Sequence, residues 1–143
     1  LACEAVPARD AAVLFIDLNR FKEVNDTLGH DIGDGVLAAV ARRFATVVRP
    51  DDTLGRLGGD EFIVIADGAS EPEATLCAER LMEALAEPIV VQEQPFALGA
   101  SVGIAMYPGD GQAPEELMKH ADIAMYRAKS AGGGFRLYQP EMS

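Results

Sequence analysis

The chain contains no tryptophan and only two cysteines, Cys3 and Cys77. They stand far apart with no metal-ligand spacing around either, which excludes a disulfide framework and a thiolate metal site. Two reduced thiols and a cytoplasmic location are expected. Basic residues are scarce as well: 12 Lys and Arg against 23 Asp and Glu give a formal net charge of −11. That balance excludes a general nucleic-acid or anionic-membrane surface, because both need clustered positive charge to displace counterions. The domain is expected to contact neither, and an anionic ligand must be held locally by a metal ion, a helix N-terminus or a few placed Lys and Arg. Long apolar runs are missing too. Ala11 to Ile16 and Phe62 to Ala66 are far too short to cross a bilayer. No basic stretch followed by an apolar one precedes the first strand, and the first residue is Leu1 rather than Met. The stretch reads as an excised piece of a longer protein, which could carry a membrane anchor elsewhere.

What is present suits one globular domain. A hydrophobic fraction of 49% in 143 residues is enough for a single core without staples. Ala11 to Ile16 reads as a buried strand ending in Asp17. Ile32, Val36, Val40, Phe44 and Val47 recur at helical spacing and predict a helix to about Arg49, stopped by Pro50. Leu54–Leu57 and Phe62–Ala66 flank Gly58-Gly59 and predict a β-hairpin turning on the two glycines. Cys77, Leu81 and Leu85 mark a second helix over about Glu73 to Ala86. Ile89–Val91 and Phe96–Met106 then suggest a pair of strands that widens the sheet by one hairpin. Pro114 opens a third helix, with Leu117, Ala121, Ala124, Met125 and Ala128 as its buried stripe, and Phe135 to Tyr138 is a last short strand. Hairpins in place of strict βαβ alternation indicate an α+β fold: a mostly antiparallel sheet of about five strands covered by helices.

Asp17 closes one core strand, and Asp60 and Glu61 open the outgoing arm of the hairpin. If the hairpin pairs beside the first strand, the three carboxylates converge at one end of the sheet. Adjacent strands lie about 5 Å apart, so these groups could share a hard divalent cation with carbonyl and water oxygens, an arrangement suited to phosphoryl transfer. Spacing alone favours the plainer reading, solvated acids leaving a turn and an Asp17 that merely caps the next segment.

The motifs carry a resemblance that decides between these readings. G-G-D-E-F at Gly58 to Phe62 resembles the naming motif of the GGDEF family of diguanylate cyclases, and F-I-D-L-N-R-F-K-E-V-N-D-T-L-G-H-D-I-G-D resembles its other long signature, in family order and spacing. S-V-G-I-A-M-Y-P at Ser101 to Pro108 and A-D-I-A-M-Y-R-A-K at Ala121 to Lys129 extend the likeness over nearly the whole chain. It implies a nucleotide-cyclase, polymerase-palm-like fold and condensation of two GTP into cyclic di-GMP with loss of two pyrophosphates. It also implies Mg²⁺ or Mn²⁺ held by Asp17, the Leu18 carbonyl and Asp60. Asp60 is then the proton acceptor, assisted by Glu61. The main-chain N–H groups at Arg20, Phe21 and Lys22 would cradle phosphate, with Lys129 reaching it from the last helix. Asn25, His30 and Asp34 match the guanine-binding segment, and the bare Gly58-Gly59 turn would let the nucleotide approach the backbone. Because one domain holds one GTP, a second copy facing the first across a two-fold axis is implied.

R-P-D-D at Arg49 to Asp52 has the family spacing of a product-inhibition site, with Arg80 as secondary contact. Arg49 can fork onto guanine O6 and N7, and Asp52 can accept from its Watson–Crick edge. By pattern alone the better reading of these residues is a helix end and a turn, and the resemblance reverses that preference. Two departures matter. Gly133 stands where the family has a phosphate-supporting arginine, and residues 1–143 lack most of the family's opening segment. Residues 135–143 resemble the start of a linker into an EAL-type cyclic di-GMP phosphodiesterase domain, so a domain of that type is expected in cis. These departures keep open a weakly active or inactive GTP-binding regulatory module.

Overall fold

The computed structural model describes residues 10–143; Cys3 falls outside them. At its centre is β1, Ala11–Asn19, in a five-stranded sheet of order β2-β3-β1-β6-β7. β2 is Thr53–Gly58, β3 Glu61–Asp67, β6 Gly99–Tyr107 and β7 Gly134–Leu137. All neighbours pair antiparallel except β6 with β7, which is parallel. β1 has a partner on each side and helices over both faces, which is why its sequence is continuously apolar rather than alternating. Even positions Ala12, Leu14, Ile16 and Leu18 join the larger core beneath two helices, α2 (His30–Val47) and α3 (Glu71–Glu83). Odd positions Val13 and Phe15 pack with Ala105 on the opposite face, under α4 (Pro114–Ser130). Period two then puts Asp17 on the α4 face.

Several expected boundaries move, each for a local reason. β1 does not end at Asp17 but runs two residues further, because its pairing with β6 extends to Asn19–Gly99. A short helix, α1 (Phe21–Leu28), precedes α2 and is separated from it by Gly29 at φ 89°. α2 stops at Val47, with Val48 already extended, so Arg49 lies beyond the helix rather than in its last turn. The residue before a proline avoids helical angles, which fits this early stop. The hairpin turns on Gly59 and Asp60 instead of Gly58 and Gly59: Gly58 pairs with Glu61 after a register shift, and Asp60 belongs to the turn, not the strand. α3 starts two residues before Glu73 because Ser70 and Glu73 form a reciprocal capping box.

The expected widening of the sheet is overturned. Ile89–Val91 (β4) and Gln94–Phe96 (β5) form their own two-stranded sheet around Gln92-Glu93, both at positive φ, and Val91 packs against Gly35 of α2. Phe96 to Met106 is therefore two strands, not one, and only β6 enters the main sheet. No described helix is long and apolar enough to cross a membrane.

One contact places α4. A Cβ on Gly103 of β6 would lie 2.0 Å from the Ala121 carbonyl oxygen and 2.2 Å from the Met125 nitrogen, both main-chain atoms that cannot yield without moving the helix. Gly103→Ala is expected to destabilise the domain by about 3 kcal/mol, the upper end of ordinary overpacking. Urea unfolding reads this directly, and a loss under about 0.5 kcal/mol would show that α4 is free to lift.

Candidate active site

The antiparallel register sets Asp17 directly opposite Glu61, on the face covered by α4. Asp60, in the adjoining turn, accepts a hydrogen bond through its carbonyl from the Leu18 N–H at 3.1 Å, which fixes the turn against the end of β1. The last turn of α4 brings Lys129 over the same spot, where its Nζ donates to Asp17 Oδ2 at 2.7 Å. Asp17 is buried and Lys129 half-exposed. The second Asp17 oxygen, Oδ1, is buried without any hydrogen-bond partner. A buried orphan acceptor costs about 1–3 kcal/mol, so this end of the sheet carries an unmet demand for a donor or a cation.

Electrostatics says the same. Burial and the Asp17 charge hold the Asp60 carboxyl above the usual range. Glu61 is pushed up by burial, then by Asp17, Asp122 and Asp60, and Asp122 by burial and Asp17. The hydrogen bond to Asp17 raises Lys129. One lysine thus faces several carboxylates. Among the described residues no three Asp, Glu, His or Cys side chains close on one metal-sized point. A cation here would accordingly be held by the carboxylates of Asp17 and Asp60, a main-chain carbonyl such as that of Leu18, and oxygens from the ligand. The orphaned Oδ1 and the all-oxygen donor set fit a hard divalent ion.

The anion side lies next to it. Arg20 takes a left-handed φ of 72° between β1 and α1, and α1 has no side-chain cap, so its first N–H groups lack intrahelical partners. A cleft of about 380 Å³ is bordered by Leu18, Arg20, Lys22, Asp60 and Lys129, which brings five of the expected site residues to one opening. Phe21 sends its side chain into the core and can contribute only main chain. Asn25 meets His30, with Asn25 Nδ2 3.2 Å from His30 Nδ1. A Cβ on Gly33 would lie 2.2 Å from Asn25 Oδ1, so this glycine keeps Asn25 in place; Asp34 follows it, exposed, on the same helix turn. Gly58 and Gly59 open to space, and both have positive φ. Gly33 and Asp122 were not among the residues expected from sequence. Both lie inside the quoted motif strings, but only the G-D-G string at Gly33 hinted at a close approach, and nothing gave Asp122 a role.

Arg49, Asp52 and Arg80 also come together, around a cavity of about 100 Å³ that Leu76 and Cys77 help to line. Arg49 forks onto Asp52 (Nη2 to Oδ1 3.0 Å, Nε to Oδ1 3.2 Å), reaches the Asp67 carbonyl at 3.2 Å and lies 3.6 Å from Glu73. Asp52 raises Arg49, and burial raises the Cys77 thiol. The fork expected for a guanine edge is thus engaged within the chain. Gly133 has φ 115°, and a Cβ on it would lie 3.0 Å from Asn19 Nδ2. Position 133 therefore resists any side chain, arginine included.

A mostly antiparallel α+β sheet thus gathers buried carboxylates, a lysine and an open cleft at one end of its central strand, an arrangement suited to an anionic ligand held with a cation. The chain belongs to the family described as diguanylate cyclase, GGDEF domain, whose profile matches residues 2–134. It is 44% identical over 136 residues to the bifunctional diguanylate cyclase/cyclic di-GMP phosphodiesterase MucR of Pseudomonas aeruginosa, a match covering 94% of this chain and 20% of that protein. With the diguanylate cyclase TpbB of the same species it shares 42% over 127 residues, 87% of this chain and 29% of the relative. The crystal structure of the TpbB GGDEF domain superposes with a TM-score of 0.89 at 40% identity, covering 92% of this chain and 83% of that one. The GGDEF domain of DgcB from Caulobacter crescentus, solved with cyclic di-GMP, gives 0.80 at 28% identity over 90% and 77%. The chain thus spans well under a third of the length of these curated relatives.

Raised carboxylates have a sign. When a folded-state pKa exceeds the unfolded one, the folded chain holds the extra proton, and stability falls as pH climbs through the interval between them. Asp60 and Glu61 therefore oppose folding at neutral pH. In chelator, Asp60→Asn is expected to melt higher than the wild type at pH 7. The difference should vanish in acid below the usual carboxylate range. Identical melting temperatures at pH 7 would remove the argument.

Proposed function

We propose that this domain is the catalytic unit of a diguanylate cyclase, condensing two GTP into cyclic di-GMP and two pyrophosphates. The observation that carries the reading is the buried Asp17, with one oxygen orphaned and one on Lys129, a residue that also borders the cleft of Arg20 and Lys22. Lys129, Arg20, Lys22 and the free N–H groups at the start of α1 bind the triphosphate, and Asn25, His30 and Asp34 address the base. Bound Mg²⁺ or Mn²⁺, held by Asp17, Asp60 and the Leu18 carbonyl, supplies charge neutralisation at the phosphate oxygens. Asp60, in the turn fixed against the end of β1, accepts the proton of an incoming 3′-hydroxyl, and Glu61 keeps the potential there negative. An O3′–Pα bond forms as the bond from Pα to the pyrophosphate oxygen breaks.

One cleft holds one GTP, so the attacking hydroxyl comes from the nucleotide in a second copy related by a two-fold axis. Cyclic di-GMP then feeds back at Arg49, Asp52 and Arg80, where its guanine must draw Arg49 away from Asp52. We place the domain in the cytoplasm as part of a longer protein. Since Gly134–Leu137 is β7, a linker toward an EAL-type domain begins after that strand. Gly133 favours a second reading, a weakly active or inactive GTP-binding module that regulates such a neighbour, because it brings no side chain to the phosphates.

The longest parent chain available, incubated with Mg²⁺ and GTP, is expected to release pyrophosphate and cyclic di-GMP, with Asp60→Ala reducing turnover at least about a hundredfold. A folded, GTP-binding protein that makes no product would favour the regulatory module. Separately, isothermal titration with cyclic di-GMP should show binding that Arg49→Ala weakens by about tenfold or more. Unchanged binding would rule out the inhibitory site.

A further inference from the structure

We infer that Asn19 is a phosphate-binding residue, a neutral donor aimed at the triphosphate tail and held in that pose by Ser101. This rests on the reading of the cleft as a nucleotide site. Asn19 is the last residue of β1 and pairs with Gly99 of β6. Ser101, two residues along β6 on the same face, is completely buried, and its hydroxyl donates to Asn19 Oδ1 at 3.0 Å. With its oxygen taken, the amide can only turn its NH₂ group the other way. There, both neighbours lack side chains. The Nδ2 atom lies 3.4 Å from where a Cβ of Gly99 would sit and 3.0 Å from that of Gly133.

No protein acceptor binds that NH₂ group among the described hydrogen bonds. It opens instead on the space where two clefts meet, one of about 320 Å³ and one of about 380 Å³, which share Asn19, Arg20 and Lys129 along their walls. An unspent donor between a lysine and an arginine, beside the free N–H groups of α1, is matched by anionic oxygens. A polyphosphate is the ligand class with several of them in a row. The charge of the residue matters as much as its reach. An aspartate would still accept from Ser101, but it would turn a second carboxylate oxygen toward the phosphates in a site already crowded with Asp17, Asp60 and Glu61. Asn19 gives a hydrogen bond there without adding negative charge, at the place where position 133 can give nothing. Ser101 is the positioning residue in this arrangement and Asn19 the contact.

The test is calorimetric titration of GTP, with Mg²⁺, into the wild-type chain and into Asn19→Asp, Asn19→Ala and Ser101→Ala, each with its melting temperature recorded. Asn19→Asp is expected to lower GTP affinity by about tenfold to a hundredfold, and Asn19→Ala by about three- to tenfold, with melting temperatures close to wild type. Ser101→Ala frees the amide to rotate and should lose less than Asn19→Ala. Wild-type binding of GTP with undiminished affinity in both Asn19 variants overturns the inference and leaves the nucleotide site standing. Failure of the wild-type chain itself to bind GTP overturns the nucleotide-site reading beneath it. Should Asn19→Asp not fold, Asn19→Ala decides alone.

Discussion

The arrangement depends on how closely α4 lies on β6. At Gly103 the helix backbone occupies the space that any side chain would need, and Ala121, Ala124 and Ala128 keep its buried stripe thin. Small residues on both surfaces let the helix sit low over β1 and β6. From that seat, one further turn carries Lys129 to Asp17. A helix held higher by larger side chains would still cover a core, but the lysine would no longer reach Asp17. Packing and chemistry meet here in a single fit, and the cleft inherits its geometry from residues with no polar group of their own.

Around that fit the charges are unevenly matched. Lys129 satisfies one oxygen of Asp17 and leaves the other without a partner, while Asp60, Glu61 and Asp122 are each held above their usual range by burial and by Asp17. A structure selected for stability alone would lose one of these acids or gain a second cation. Keeping the imbalance costs folding free energy and leaves an unmet demand for positive charge at this end of the sheet. The donors on the anion side, at Arg20, Lys22 and the start of α1, are local positive features in a chain of net charge −11, as the proposed phosphate site requires.

The fold class was legible because its signals are local or periodic: an unbroken apolar run for β1, helical spacing in α2 and α4, and glycines at the hairpin. The pairing of Asp17 with Glu61 could be anticipated only conditionally, since nothing in one strand states which strand lies beside it. The β4–β5 hairpin was misjudged for a related reason. Ile89–Val91 has the apolar character of a sheet strand, yet the Gln92-Glu93 turn and the break before Gly99 detach it, and Val91 finds its burial against Gly35 instead. Motif resemblance supplied the residue roles that spacing left open. It gave no role to Gly33, Asp122 or Asn19, whose meaning lies in what they touch. Nor could it show that Arg49 is already clasped by Asp52 and steadied by Asp67 and Glu73.

That clasp has a structural counterpart further along α2. The helix has 18 residues, about 27 Å of rise, with His30 and Asp34 at its start and the Arg49–Asp52 turn just past its end. Near the far end, Arg43 donates to three main-chain carbonyls, those of Ala84, Glu87 and Pro88, at 2.9, 2.6 and 2.8 Å. These lie at the corner that closes α3, whose last turn carries Arg80. Arg43 therefore fastens together the two helices that wall the Arg49 cavity. A ligand that displaced Asp52 from Arg49 would act on a turn braced by this bolt, with little slack in the wall to absorb the change. The stiff element left to carry it is α2, whose first turns hold His30 and Asp34.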